Sequence, residues 1–212
     1  MLQTEGFNRQ AVWAEEAMHR AASLQHLAID LERLLDSGSI DWNNRLRTIR
    51  RAKALMAAYQ NLDLSRDSGP RSCAQDLSDI AGGLVEIFGH TVGAVVLSLE
   101  LQPLLLAGEV RRALLLAASE LVVNALRHAF VGRQTGIVQI RLCHDRTHQK
   151  GVLFVADDGV GPDDLAAGCG LGRVIVRDLA DVLEGDVIWR QSLLLGGTEA
   201  MLRFPVPICD IE

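Results

Sequence analysis

The sequence lacks an apolar run long enough to cross a bilayer, because no stretch approaches the roughly 18 residues that a membrane-spanning helix needs. Its first ten residues, MLQTEGFNRQ, lack the apolar core of a secretory signal peptide. Cysteine is scarce, and the four that occur are too scattered for a CxxC metal or redox motif: Cys73, Cys143, Cys169 and Cys209. These absences argue against a membrane protein and predict a soluble, cytoplasmic protein with reduced thiols.

An excess of positive charge is also missing. The 212 residues include 21 Lys and Arg against 27 Asp and Glu, which gives a formal net charge of −6 and a pI near 5.5. Such a balance disfavours a phosphate backbone as partner, so we expect no binding to nucleic acid. Because 49% of the residues are hydrophobic, the chain can still bury the core of one domain or of two small ones.

The sequence does contain a polar face within an apolar run, ELVVNALRHAF, at residues 120–130. Glu120, Asn124 and either Arg127 or His128 recur at helical spacing, which predicts one polar face on a helix. A carboxylate, an amide oxygen and a base can together hold a hydrated magnesium ion and its phosphates. A helix with one solvated face explains the same pattern, so other segments must decide between the two interpretations.

Three glycine clusters follow this helix. The segment VLFVADDGVG is a short strand ending at Asp157, where glycines let the backbone approach a flat ligand and the carboxylate can accept a hydrogen bond from an amine such as that of adenine. GCGLG opens into an apolar helical run, Val174 to Leu183, whose N-terminus offers amide donors to a phosphate. GGT lies between two strand-like runs. Each cluster alone is more typical of a turn.

In this order, the four segments resemble the N, G1, G2 and G3 boxes of the GHKL (Bergerat) ATPase fold. They are most similar to the catalytic ATP-binding domain of bacterial sensor histidine kinases, over about residues 73–207. The resemblance implies a site for ATP and Mg2+, with Asn124 as the metal ligand. It also implies that Glu120 polarises the attacking group, and that Arg127 and His128 face the phosphates.

The same resemblance implies that Asp157 recognises the adenine amino group. It assigns further nucleotide contacts to the glycine clusters, at Gly159, Gly161, Gly170, Gly172 and Thr198. The segment from Pro162 to Gly168 is short for an ATP lid, as in the compact HWE-type kinases, and no Phe-rich box separates G1 from G2.

Residues 1–64 have a different pattern, in which leucines step by three and four residues along a predicted first helix: Leu24, Leu27, Leu31 and Leu34. The turn DSGSID follows, and Asp41 is a candidate N-cap for a second helix that ends near Leu64. The two helices predict an antiparallel hairpin whose apolar stripe must be buried against another surface. Two copies forming a four-helix bundle supply that cover, which predicts a homodimer. Packing of the hairpin on the chain's own C-terminal domain is the alternative.

The segment EAMHR in the first helix resembles the Glu-x-x-His-Arg phosphoacceptor segment of HWE-like kinases. The resemblance implies that His19 accepts a phosphoryl group, while Glu16 or Glu15 orients or deprotonates the second ring nitrogen. The residues that follow, AASLQ, replace the Val-Lys-Asn run usual in that family. His26 is the competing candidate, although its leucine neighbours indicate a packed imidazole near the bundle seam.

The polar segment 65–72 reads as a linker to a second domain at residues 73–212. In that domain the pattern predicts helices on one face of a mixed sheet, an α/β sandwich, so the whole chain is of α+β class. The helices are expected at 73–89, within 104–126 and at 174–183, and the strands at 95–101, 137–143, 151–156, 186–191 and 199–204. His144 and His148 fall at a predicted hairpin tip, which favours a solvated loop over a metal site.

These features predict a soluble histidine kinase core of two-component signalling. It would transfer the γ-phosphoryl group of magnesium ATP to His19 and then to an aspartate of a response-regulator receiver domain. Only 18 residues precede His19, so the signal is expected from a separate sensor protein. Two alternatives remain open: a histidine phosphotransferase relay protein with little use of ATP, and a GHKL serine kinase of the anti-sigma-factor type.

Overall fold

The computed structural model describes residues 71–88, 94–161 and 171–206, which all belong to one compact unit of the chain, Arg50–Glu212. The predicted hairpin of residues 1–64 lies outside the described residues, and with it the candidate phosphoacceptors His19 and His26 and the acidic residues Glu15 and Glu16. Most of the predicted linker and Gly170 also lie outside them.

Each of the three described helices is followed by two strands. In chain order they are β1 (Arg71–Ser72), α1 (Ala74–Phe88), β2 (Ala94–Leu101), β3 (Leu105–Leu106), α2 (Gly108–Asn124), β4 (Thr135–Asp145), β5 (Lys150–Asp157), α3 (Leu171–Val182), β6 (Asp186–Gln191) and β7 (Thr198–Pro205). A π-helical segment, Ala125–Ala129, continues α2 beyond Asn124.

The main sheet is mixed and has the strand order β2-β4-β5-β7-β6. Strands β2 and β4 are parallel, whereas the other three pairs are antiparallel. The register places Val138 opposite Asp157, and Val155 opposite Ala200. The short strands β1 and β3 form a separate antiparallel pair.

Burial along β4 alternates as expected for a sheet with one covered face. Val138, Ile140 and Leu142 are fully buried, whereas Ile137, directly before them on the opposite face, is 36% exposed. The apolar sides of the three helices supply the other half of this core, through Leu77, Ile80, Leu84, Leu114, Leu121, Ile175, Val176 and Leu179. The predicted mixed sheet with helices packed against it is therefore confirmed.

Two boundaries differ from the sequence prediction. The helix expected within 104–126 begins at Gly108, because Leu105 and Leu106 form backbone pairs with Ser72 and Arg71. These last two residues had been predicted to belong to the linker. None of the described helices is long and apolar enough to cross a membrane.

Candidate functional site

A cavity of about 410 Å³ lies between the end of α2, the start of α3 and the covered face of the sheet. It brings together residues from all four motifs: Asn124, His128, Asp157, Gly161, Gly172 and Thr198. Val155 and Ala200, which are paired on β5 and β7, contribute apolar lining. The cavity thus combines an apolar wall with a few convergent polar groups, as small-molecule sites do.

Asp157 is the buried carboxylate of this cavity, with only 5% of the residue exposed. Its Oδ1 accepts hydrogen bonds from the backbone N–H of Gly159 at 2.9 Å and of Thr198 at 3.1 Å. A Cβ at Gly197 would collide with the same Oδ1. Because both backbone bonds use Oδ1, Oδ2 is the oxygen that can accept a hydrogen bond from a ligand.

Burial raises the pKa of Asp157 above its ordinary value, because desolvation disfavours the charged form. The neighbouring Asp158 adds to the increase, while the two backbone donors and Arg133 oppose it. Burial therefore disfavours the charged form of Asp157, while the low dielectric around the carboxylate makes a hydrogen bond to it stronger than in water.

Asp158, the second carboxylate of ADDG, fixes the turn and does not line the described part of the cavity. Its Oδ1 accepts a hydrogen bond from the backbone N–H of Ile137 at 2.7 Å, and its Oδ2 accepts one from Arg133 Nη2 at 2.9 Å. Arg133 also donates to the Asp158 carbonyl oxygen. Arg133 was not among the predicted site residues, because its role depends on a contact across 25 positions of the chain.

The π-helical segment directly follows Asn124 and contains both candidate side chains, Arg127 and His128. A π-helix has a wider turn than an α-helix and is frequent at functional sites. His128 lines the cavity, whereas Glu120 and Arg127 are not among its described lining residues, and each makes an interaction of its own. Of the two candidates after Asn124, His128 is thus the one beside the cavity.

Two glycines allow close approach of the elements around Asn124. A Cβ at Gly159 would collide with the carbonyl oxygen of Ala129, which accepts a hydrogen bond from Val160 N–H at 3.0 Å. A Cβ at Gly172 would lie 2.9 Å from Nδ2 of Asn124. The turn after β5 and the start of α3 therefore both pack against the end of the α2 and π segment. Gly161 has a φ of +82°, which favours glycine.

Trp189 and Arg173 also line the cavity, and neither was among the predicted site residues. Trp189 lies on β6 opposite Ala200. The Arg173 guanidinium carbon is 5.6 Å from the centroid of the Trp189 ring, and that of Arg177 is 5.5 Å from it. The position of Arg173 directly after Gly172 in the second glycine cluster was the available signal.

The residues present fit a magnesium nucleotide. Magnesium uses one or two protein oxygen ligands and fills its other positions with water and phosphate oxygens, and Asn124 offers one amide oxygen beside the cavity. Among the described residues, no group of three or more His, Cys, Asp or Glu forms a metal site of the all-protein kind. His148 is exposed at the tip of the β4–β5 hairpin, the position predicted for it, and its Nδ1 lies 2.7 Å from Asp145 Oδ2.

Residues 90–188 match the family model of the histidine kinase-like ATPase domain. A curated relative, blue-light-activated histidine kinase 2 of Erythrobacter litoralis (strain HTCC2594), is 27% identical over 207 residues. That match covers 91% of this chain and 56% of the relative, so the chain spans little more than half the relative's length.

Two solved structures share the fold. The histidine kinase domain of the Erythrobacter litoralis EL346 blue-light activated histidine kinase is 24% identical, with a TM-score of 0.61, and 93% of each chain is covered. The Acinetobacter baumannii histidine kinase AdeS is 18% identical, with a TM-score of 0.51, over 86% of this chain and 94% of that one.

Proposed function

We propose that the protein is a histidine kinase core that uses magnesium ATP, because residues 90–188 match the model of the histidine kinase-like ATPase domain and the chain is homologous to a blue-light-activated histidine kinase. The family resemblance carried by the four sequence motifs is confirmed by these matches. The observation that carries the proposal is the convergence of Asn124, His128 and Asp157 on one cavity.

Asp157 anchors the adenine base in this proposal. Its Oδ2 accepts a hydrogen bond from the exocyclic amine, while the backbone bonds to Oδ1 hold the carboxylate in place. Val155 and Ala200 contact the apolar faces of the base. Gly159, Gly161, Gly170, Gly172 and Thr198 complete the nucleotide contacts.

Asn124 would hold Mg2+ through its amide oxygen, and the bound ion would neutralise charge on the phosphates. His128, beside the cavity, orients the phosphates, and Arg127 on the same segment supplies a positive charge. Glu120, one turn before Asn124, polarises the attacking group. Phosphoryl transfer depends mainly on such positioning and charge neutralisation.

The acceptor is His19, on the basis of the EAMHR segment. A ring nitrogen of His19 forms a bond to the γ-phosphorus as the bond to the β,γ-bridging oxygen breaks, and ADP leaves. Glu16 takes up or orients the proton on the other ring nitrogen. The phosphoryl group then passes to an aspartate of a response-regulator receiver domain.

The hairpin of residues 1–64 supplies both this acceptor and a dimer interface in the proposal. Two copies form a four-helix bundle, and the kinase acts in the cytoplasm. Incubation with γ-labelled ATP and Mg2+ tests the kinase activity directly. Label that is acid-labile, retained in His26→Ala and lost in His19→Ala and Asn124→Ala, supports the proposal.

Other outcomes identify the other candidate functions. Nucleotide binding without self-labelling contradicts the kinase. Label that appears only after addition of a phosphorylated donor protein identifies a phosphotransfer relay. Acid-stable label on an added partner protein identifies a serine kinase of the anti-sigma-factor type.

A further inference from the structure

Arg173 brings a positive charge to the wall of the cavity. It is half-buried and lines the cavity, whereas Arg177, one helical turn later, is exposed and is not among the described lining residues. The first turn of α3 contains no acidic residue that would neutralise Arg173. A half-buried cation therefore lines the cavity at a position where an apolar residue would cost less desolvation free energy.

Arg173 also lies next in sequence to the contact between α3 and Asn124. The preceding residue, Gly172, has no side chain, and a Cβ there would lie 2.9 Å from Asn124 Nδ2. The start of α3 therefore approaches the amide that binds Mg2+ in the proposed function. A cation at this position is on the side of the cavity where phosphates bound to the metal would lie.

Trp189 restricts where the Arg173 side chain can lie. The guanidinium carbon is 5.6 Å from the centroid of the Trp189 ring, within the range of a cation–π interaction. Trp189 is itself held in β6 by its pairing with Ala200, and both residues line the cavity. The ring thus supports the guanidinium beside the cavity and reduces the conformational freedom that Arg173 would lose on binding a ligand.

We propose that Arg173 is a further nucleotide-binding residue, which contacts a phosphate oxygen of the bound nucleotide, and that Trp189 is its positioning residue. This inference rests on the proposed function as an ATP site. The guanidinium is a planar fork of donors suited to phosphate oxygens. In the competing geometry the adenine base stacks on Arg173. That geometry predicts that loss of the guanidinium weakens binding of adenosine as much as binding of ATP.

Calorimetric titrations of the full chain with Mg-ATP, Mg-ADP and adenosine distinguish these geometries. Arg173→Gln keeps a polar side chain but removes the charge, so it should weaken binding of ATP and ADP by roughly tenfold or more. Adenosine affinity should stay unchanged. Arg177→Gln is the matched control, because Arg177 lies over the same ring, and it should bind all three ligands like the wild type.

The outcomes separate this inference from the proposed function. If the wild type does not bind ATP, both the proposed ATP site and this inference are contradicted. Wild-type binding of ATP that Arg173→Gln leaves unchanged overturns the inference alone. An equal loss of ATP and adenosine affinity in Arg173→Gln identifies a contact to the base and also overturns it.

The positioning role of Trp189 is tested by the ratio of ATP affinity to adenosine affinity. Trp189→Leu should lower this ratio severalfold, while Trp189→Phe, which keeps an aromatic face for the guanidinium, should largely restore it. In an Arg173→Gln background, Trp189→Leu should not lower the ratio further. A ratio unchanged by Trp189→Leu, in a protein with a wild-type circular dichroism spectrum, would remove the positioning role.

Discussion

At the scale of single residues, Asp157 combines a structural and a binding task in one carboxylate. Oδ1 holds two backbone amides and so fixes the turn after β5 against the start of β7. Oδ2 is left for a ligand. An asparagine in either amide orientation offers one acceptor oxygen where the carboxylate offers two, so it cannot serve both tasks.

Asp157→Asn should therefore weaken binding of ATP and of adenosine alike, by roughly tenfold or more, since a hydrogen bond to a charged group contributes about 1.5–3 kcal/mol. Calorimetric titration measures both affinities. Asp145→Asn is the control, because Asp145 lies at the exposed tip of the β4–β5 hairpin and does not line the described cavity. Unchanged adenosine affinity in Asp157→Asn would show that the base binds elsewhere.

The raised pKa of Asp157 also gives a pH dependence to stability. In the folded state, burial raises this pKa above the ordinary value of 3.8, so between the two values the folded protein holds a proton that the unfolded chain has released. The free energy of unfolding should then fall as pH rises from 3.8 through the folded pKa of Asp157. Denaturant unfolding across this pH range measures the effect. The free energy of unfolding should fall more steeply with pH in the wild type than in Asp157→Asn. Equal slopes would contradict the assignment.

At the scale of elements, the approach of α3 to the end of α2 shapes the metal end of the cavity. An alanine at Gly172 would place its Cβ 2.9 Å from Nδ2 and 3.0 Å from Oδ1 of Asn124, so the amide must shift. Gly172→Ala should lower affinity for Mg-ATP roughly tenfold, with adenosine binding less affected. Stability should change little, because alanine is favoured over glycine in a helix by about 1 kcal/mol, which offsets the strain.

Gly82→Ala in α1 is the matched control for this change. Nothing lies within 4 Å of a Cβ added at Gly82, which is exposed. The substitution should stabilise the protein by about 0.5–1 kcal/mol and leave ATP binding unchanged. If Gly172→Ala behaves like Gly82→Ala in both measurements, the contact with Asn124 does not affect the site.

The elements that the sequence predicted are those with a strong periodic pattern. Strand β6 has its predicted bounds, and strands β2, β4, β5 and β7 and helices α1 and α3 lie within three residues of theirs. The pair β1 and β3 was missed, because two-residue strands are too short to show alternation and exist only through their mutual backbone bonds. The π-helical segment was missed as well, because the spacing of Arg127 and of His128 is also compatible with an ordinary α-helix.

At the scale of the whole molecule, the site depends on contacts between segments far apart in the chain. The order of the four motifs was enough to group Asn124 and Asp157 with Gly161, Gly172 and Thr198, and all five residues line one cavity. Arg133, Arg173 and Trp189 were not predicted, because their roles arise from a turn, a helix face and a strand register that the sequence alone does not align.

The homodimer is a second prediction at this scale. In the proposed hairpin, Leu27 and Leu31 belong to the apolar stripe that a second copy covers. Sedimentation of the full chain should give a dimer, and the double substitution Leu27→Glu with Leu31→Glu should give a monomer that still binds ATP. A monomeric wild type would favour the alternative, in which the hairpin packs on the chain's own C-terminal domain.

The central claim is that the cavity between α2, α3 and the sheet binds magnesium ATP through Asn124. Titration of the wild type and of Asn124→Ala with ATP, with and without Mg2+, tests it most directly, because Mg2+ takes oxygen ligands and bridges them to phosphate. The account predicts that Mg2+ strengthens ATP binding by the wild type and has no such effect in Asn124→Ala, while adenosine binds both proteins equally. The same Mg2+ dependence in both proteins would contradict it.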